Sequence, residues 1–76
     1  MNFSEHLLNL RTEHGFLQKE VAKAINVSIL TYQRYEYGER EPHLSTLVAL
    51  ADFYELSLDE LVCRERPKRT KKKAGN

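Results

Sequence analysis

Apolar residues recur along this chain at three- and four-residue intervals. No stretch of four or more residues alternates in polarity with β-branched side chains. The pattern predicts helices throughout. Phe3, Leu7, Leu10 and His14 form one stripe, widened by Leu8, on a first helix over residues 3–14. Asn2 and Glu5 stand at capping-box spacing, and Gly15 is placed to end that helix in a left-handed conformation. Leu17, Val21, Ala22 and Ile25 share a face of a second helix over residues 18–24. Its N-cap position, Leu17, has no side-chain oxygen for the free N–H groups.

The segment "NVSILTYQRYEYGER" follows (residues 26–40). Asn tolerates the left-handed region best after Gly, so Asn26 predicts a tight helix–turn–helix joint. Ser28 caps a third helix that runs to about Tyr37 and stops at Gly38. "GEREPH" is a connecting loop. Leu44, Leu47, Val48, Leu50, Ala51 and Tyr54 make a broad apolar face on a fourth helix over residues 44–54. Ser57 and Glu60 make a capping box, and Leu56 and Leu61 the matching hydrophobic staple. A fifth helix therefore starts near Leu58 and is expected to end around Cys63 or Arg64. Five short helices with one apolar face each imply an all-α fold, a compact five-helix bundle.

At 100° per residue the third helix has two faces. Thr31, Tyr32 and Tyr35 lie together and suit packing on the second and fourth helices. Ile29, Leu30, Gln33, Arg34 and Tyr37 lie on the other side. Large aliphatics on a solvent-facing side signal contact with something.

Composition adds bounds. The chain has 76 residues, enough for one small domain. A single cysteine, Cys63, cannot form an intramolecular disulfide, which points to a reducing, intracellular setting. Cys63 itself reads as a small core or edge residue. No apolar run is long enough to span a bilayer, and "MNFSEHLL" lacks the basic start of a signal peptide. Charge is the informative quantity. Residues 1–63 carry five Lys/Arg against ten Asp/Glu, a balance of −5, and residues 64–76 carry seven against one, a balance of +6. An acidic body thus precedes a basic tail whose one apolar residue is Ala74. The tail, 64–76, is expected to be disordered, and its charge suits phosphate contacts and counterion release.

No catalytic constellation is visible. There is no Gly-rich phosphate loop, no Ser or Cys beside a plausible base, and little room for a deep pocket in so small a bundle. His6, His14 and His43 lack metal-ligand spacing, and His14 reads as a packed or capping residue. The expectation is no enzyme, no metal, no cofactor, no small-molecule ligand and no membrane partner.

"QKEVAKAINVSILTYQRYEYGEREP" resembles the helix–turn–helix of the Cro/phage-repressor (XRE-type) DNA-binding proteins. "LSTLVALADFYELSLDELV" resembles the fourth and fifth helices of the same domain. The likeness covers about residues 3–63, with the helix–turn–helix motif at about 18–37 and a domain expected over 1–63. It implies a lambda-repressor-like fold, with the third helix in the major groove of double-stranded DNA and the second across the backbone. Ser28, Ile29, Leu30 and Gln33 then occupy base-facing positions. Gln18 occupies the second-helix position that meets a phosphate and braces the third helix, Tyr37 and Arg40 occupy phosphate-facing positions, and Arg34 is placed to meet a phosphate or the helix dipole. Arg11 and Glu36 occupy the family's buried salt bridge. The implied function is a sequence-specific transcriptional regulator, a repressor that binds a palindromic operator as a homodimer in a bacterial or phage-type cytoplasm.

Departures from the pattern open a second reading. Leu17 stands where Ser or Thr is usual, Asn26 where Gly is usual, and His43 in place of a small polar cap. Ile29 and Leu30 stand where polar or basic readers are common. The alternative is an antitoxin- or antirepressor-like interaction module that uses the Ile29/Leu30/Tyr37 face on another protein.

Overall fold

Local chemistry sets the helix boundaries before tertiary packing does. The computed structural model describes residues 2–62. Its helices are α1 (Phe3–His14), α2 (Gln18–Ala24), α3 (Ile29–Tyr37), α4 (Leu44–Tyr54) and α5 (Leu58–Leu61). No strand is present among the described residues. Asn2 accepts from the Glu5 backbone at 2.9 Å, and the Glu5 carboxylate accepts from the Asn2 backbone at 3.3 Å. Ser57 and Glu60 repeat this arrangement at 3.1 and 2.9 Å. Each box satisfies N–H groups that a helix start would otherwise leave free.

The start of α2 is a half-box. Leu17 donates its backbone N–H to Glu20 at 2.7 Å, but its side chain accepts nothing. Leu17 does not share the buried face of Val21, Ala22 and Ile25, as its position in the pattern suggested. It is 55% exposed, because it sits in extended backbone before the first turn and outside the helical wheel.

The turns need positive φ. Gly15 and Gly38 end α1 and α3 at φ 75° and 76°, and Asn26 takes φ 62° in the α2–α3 joint. Glu55 also takes φ 57° as the C-cap of α4. Nothing in the pattern announced it, since Glu lacks the short amide that makes Asn tolerant there.

The core gathers residues from every helix: Leu7 and Leu10 of α1, Val21 and Ala22 of α2 with Ile25 at its end, Tyr32 and Tyr35 of α3, Leu50, Ala51 and Tyr54 of α4, and Leu61 of α5. α3 packs against both α1 and α2, and α5 packs against α4 and α1. His6 Nε2 lies 2.9 Å from the Glu60 carbonyl oxygen and adds a polar tie between α1 and α5. His14 caps as well as packs. Its Nδ1 is 2.8 Å from the Leu10 carbonyl, and its ring lies 5.0 Å from Tyr54. Phe16 and Phe53, which the helical stripes did not include, pack at 5.1 Å beside them.

Three expected core positions stand outside. Leu44, Val48 and Leu8 are 69%, 41% and 40% exposed. On α4 the stripe is buried at Leu50, Ala51 and Tyr54 and partly buried at Leu47, and Leu44 and Val48 fall at its edge, where no helix among the described residues covers them. Leu8 is likewise one position round from Leu7 on α1. α5 closes at Leu61 with Val62 as its cap, earlier than expected. Cys63 and the basic segment 64–76 lie outside the described residues.

Candidate nucleic-acid interface

The chemistry of α3 starts from its first residue. Ser28 Oγ accepts from the Thr31 backbone at 3.1 Å and donates to Thr31 Oγ1 at 2.9 Å. The cap fixes the first turn, and with it the positions of Ile29 and Leu30. The Asn26 turn sets the approach of α2, so that α2 and α3 meet in a short joint.

The rear of α3 is locked. Tyr32 is fully buried and Tyr35 nearly so, their rings meeting edge-on at 6.5 Å. Beside them is Glu36, a carboxylate whose side chain is 2% exposed. A charge so placed needs compensation, and four donors provide it. Arg11 approaches with two nitrogens, Nε to Oε2 at 2.6 Å and Nη2 to Oε1 at 3.2 Å. Tyr32 donates its hydroxyl to Oε2 at 2.5 Å, and Gln18 Nε2 donates to Oε1 at 3.0 Å. Arg11 Nη1 also donates to the Phe16 carbonyl at 2.9 Å, so one guanidinium ties α1, the α1–α2 turn and α3.

Burial alone would raise the Glu36 pKa, but the hydrogen bonds from Arg11, Tyr32 and Gln18 outweigh it and hold the carboxyl below its ordinary value. Burial and the bond to Glu36 push the Tyr32 phenol well up, so it stays a donor. The bond to Glu36 likewise raises the Arg11 guanidinium. The sequence pattern assigned Tyr32 to packing only. Its hydroxyl as a fourth clamp on Glu36 was missed, although the four-residue spacing from Tyr32 to Glu36 was available as a signal.

The front of α3 is open. Ile29 is 46% exposed, Leu30 54% and Tyr37 62%. Arg34 and Arg40 are exposed. Gln33 is half-buried because its Nε2 donates to Gln18 Oε1 at 3.1 Å. Ile29, Leu30, Gln33, Arg34 and Tyr37 therefore lie on one solvent-facing side, with Ser28 at its N-terminal edge and Gln18 behind it. Arg40 follows in the loop after Gly38. Apolar, amide, guanidinium and phenol groups at this spacing can touch base edges and phosphates along a groove the width of a helix. Among the described residues, no group of three or more His, Cys, Asp or Glu could hold a metal ion, and no helix is long and apolar enough to cross a membrane.

A short joint between two helices, with an anchored second helix that turns one face outward, defines the helix-turn-helix class of DNA-binding domain. The sequence profile of the helix-turn-helix family matches residues 7–61. The chain belongs to this family, in its Cro/C1-type (XRE) branch. Its curated relatives include the cryptic phage CTXphi transcriptional repressor RstR of Vibrio cholerae, 39% identical over 64 residues, which are 84% of this chain and 57% of RstR. The regulator AnsR of Bacillus subtilis is 35% identical over 66 residues, 87% of this chain and 57% of AnsR. The chain thus spans little more than half the length of these relatives. A transcriptional regulator from Listeria innocua superposes with a TM-score of 0.82 at 35% identity, covering 91% of this chain and 64% of that one. The P22 c2 repressor, solved in complex with a synthetic operator, superposes with a TM-score of 0.77 at 26% identity, covering 82% of this chain and 94% of the repressor. The family and these relatives are transcriptional regulators, not enzymes.

Proposed function

We propose that this chain is a sequence-specific transcriptional regulator, acting as a repressor, that places α3 in the major groove of double-stranded DNA. The observation that carries the reading is the open front of α3 on a helix whose rear is clamped at Glu36. A reading surface must be exposed and rigid at once, because an element that shifts cannot hold bidentate contacts in register. Operator-bound P22 c2 shares the fold and supports the same use here.

In this reading Ser28, Ile29, Leu30 and Gln33 face bases. The two aliphatics meet thymine C5-methyl groups, and Gln33 pairs with an adenine edge. Gln18, Arg34, Tyr37 and Arg40 face phosphates. The protein works in a bacterial cytoplasm as a homodimer on a palindromic operator, with half-sites about 10–10.5 bp apart. Residues 1–63 form the domain. At a balance of −5 they attract DNA poorly at long range, so residues 64–76, at +6, contribute the sequence-independent phosphate contacts.

Exposed Ile29, Leu30 and Tyr37 also favour one rival, an antitoxin- or antirepressor-like module that docks this face on a protein. Salt separates the two. Binding to a DNA duplex, followed by fluorescence anisotropy, is expected to fall log-linearly with salt, and removal of residues 64–76 should flatten the slope. A wild-type affinity for DNA that ignores salt contradicts the DNA reading. An unchanged slope after truncation contradicts the role of the basic segment.

A further inference from the structure

The start of α1 and the end of α3 meet at Gly38, where a Cβ would stand 3.4 Å from Ser4 Oγ. Beside this contact lies a cavity of about 220 Å³, with Phe3 and Ser4 of α1, Tyr35 of α3, its cap Gly38, and Arg40 and Glu41 of the following loop in its walls. The sequence pattern led to the expectation of no small-molecule ligand, because this cavity arises only where α1 and that loop come together. Its volume lies below the roughly 300–1,000 Å³ of pockets for drug-sized ligands, which holds an occupant to about amino-acid size.

The polar groups in these walls are of two kinds. Tyr35 is 2% exposed, and its hydroxyl has no hydrogen-bond partner among the described residues. Among those residues the side-chain polar atom that is both sealed from solvent and unpartnered is the Tyr54 hydroxyl. The Tyr35 hydroxyl is therefore not sealed, and Tyr35 opens onto this cavity. It brings a proton to donate, and Arg40 brings donors only. Ser4 Oγ spends its own proton on Asn2 Oδ1 at 2.8 Å, so towards the cavity it only accepts. The Glu41 carboxylate also only accepts. Neither Arg40 nor Glu41 forms an ion pair within the described residues. Two donors thus stand with two acceptors, one of each pair charged, and Phe3, partly buried against the core, adds an apolar wall. A carboxylate and an ammonium on one carbon, with a small aliphatic group, answer all five.

We propose that this cavity binds a free α-amino acid with a small aliphatic side chain, its carboxylate on Arg40 and the Tyr35 hydroxyl and its ammonium on Glu41 and Ser4 Oγ, and that the ligand weakens DNA binding by engaging Arg40. The site itself stands on the cavity alone. Its effect rests on the DNA-reading function proposed above, in which Arg40 faces a phosphate. A guanidinium bonded to a carboxylate in the cavity is withdrawn from that phosphate, so ligand and DNA lower each other's affinity by the same factor.

The test uses the full chain, labelled with nitrogen-15, and three probes that share one apolar group: L-leucine, 4-methylpentanoate, which lacks the ammonium, and 3-methylbutylamine, which lacks the carboxylate. L-leucine is expected to shift the amide resonances of Ser4, Gly38 and Glu41 saturably, and each analogue to bind at least about tenfold more weakly. Tyr35→Phe and Arg40→Gln should each weaken L-leucine by about tenfold, and Arg40→Gln, at an exposed loop position, decides alone if Tyr35→Phe does not fold. Saturating L-leucine, which has no net charge and leaves ionic strength unchanged, should lower affinity for a selected duplex by about fivefold or more in fluorescence anisotropy. No saturable shift at about 50 mM L-leucine overturns the site. An analogue that binds as tightly as L-leucine, or variants that bind it like the wild type, overturn the assigned contacts. L-leucine that binds but leaves duplex affinity unchanged overturns the competition for Arg40 and spares both the site and DNA reading. A wild type with no affinity for any duplex overturns the function on which the competition rests, while the resonance shifts still decide the site.

Discussion

The two sides of α3 differ in almost every physical respect although their residues alternate along nine positions. The rear, with Tyr32, Tyr35 and Glu36, is buried, and the Glu36 carboxylate is bonded to Arg11, Gln18 and the Tyr32 hydroxyl. The front, with Ile29, Leu30, Arg34 and Tyr37, makes little use of the rest of the protein. In the proposed reading, stability and recognition are thus separated by a rotation about one helix axis. Gln33 is the point where they meet, since it faces outward and yet hangs from the Glu36 cluster through Gln18.

The contrast predicts that substitutions at the rear cost fold and those at the front cost binding. Arg11→Ala should have the largest effect. It strands Glu36, with its 2% exposed side chain, and should lower stability by roughly 3–5 kcal/mol in urea unfolding. A midpoint like that of the wild type would show that the cluster does not hold α3.

Tyr32→Phe removes one donor from the same carboxylate and leaves the ring packing in place. A bond to a charged group is worth about 1.5–3 kcal/mol, so the loss should be smaller than for Arg11→Ala but readily measured by thermal melting. Acid should act on the same site. The folded pKa of Glu36 lies below its ordinary value of 4.5, so the stabilisation is complete above that value and disappears as pH falls through the folded pKa. Urea unfolding between pH 6 and pH 2 should show this loss. A Glu36→Gln variant, which has no carboxylate to protonate, should lack that part of it.

Gln33→Ala should cost about 1–3 kcal/mol on the specific duplex and little on random DNA. Equal losses on both would remove Gln33 from base reading. The smallest effect on the fold is expected at Ile29→Ala and Leu30→Ala, which should change unfolding free energy by no more than about 0.5 kcal/mol, as exposed positions do. A large destabilisation there would mean that the front is part of the core after all.

Much of the fold was legible because its signals are local. Asn2, Ser28 and Ser57 offer cap oxygens, while Gly15, Asn26 and Gly38 permit positive φ, and these six residues set most helix ends without help from distant contacts. What escaped is what depends on neighbours. Leu44 and Val48 look as apolar as Leu50, but only the arrangement of the helices decides which edge of a stripe is covered. Glu55 adopts positive φ as the C-cap of α4, its N–H bonded back to the last turn, although glutamate has no preference for that region. At the interface, the pairing of Arg11 with Glu36 was suggested by family resemblance. The Gln18–Gln33 link was not, since a hydrogen bond between residues fifteen apart leaves no periodic trace, and the Tyr32 hydroxyl was passed over although its four-residue spacing from Glu36 offered a signal.

The most direct test of an α3 front that reads base sequence is selection of bound duplexes from a random pool by wild-type protein and by folded Leu30→Ala and Gln33→Ala variants. The wild type should enrich a two-fold symmetric site, and each variant should relax or change the preference at its own position within each half-site while melting like the wild type. Enrichment of no sequence by the wild type, or of the same sequence by all three proteins, would contradict the account.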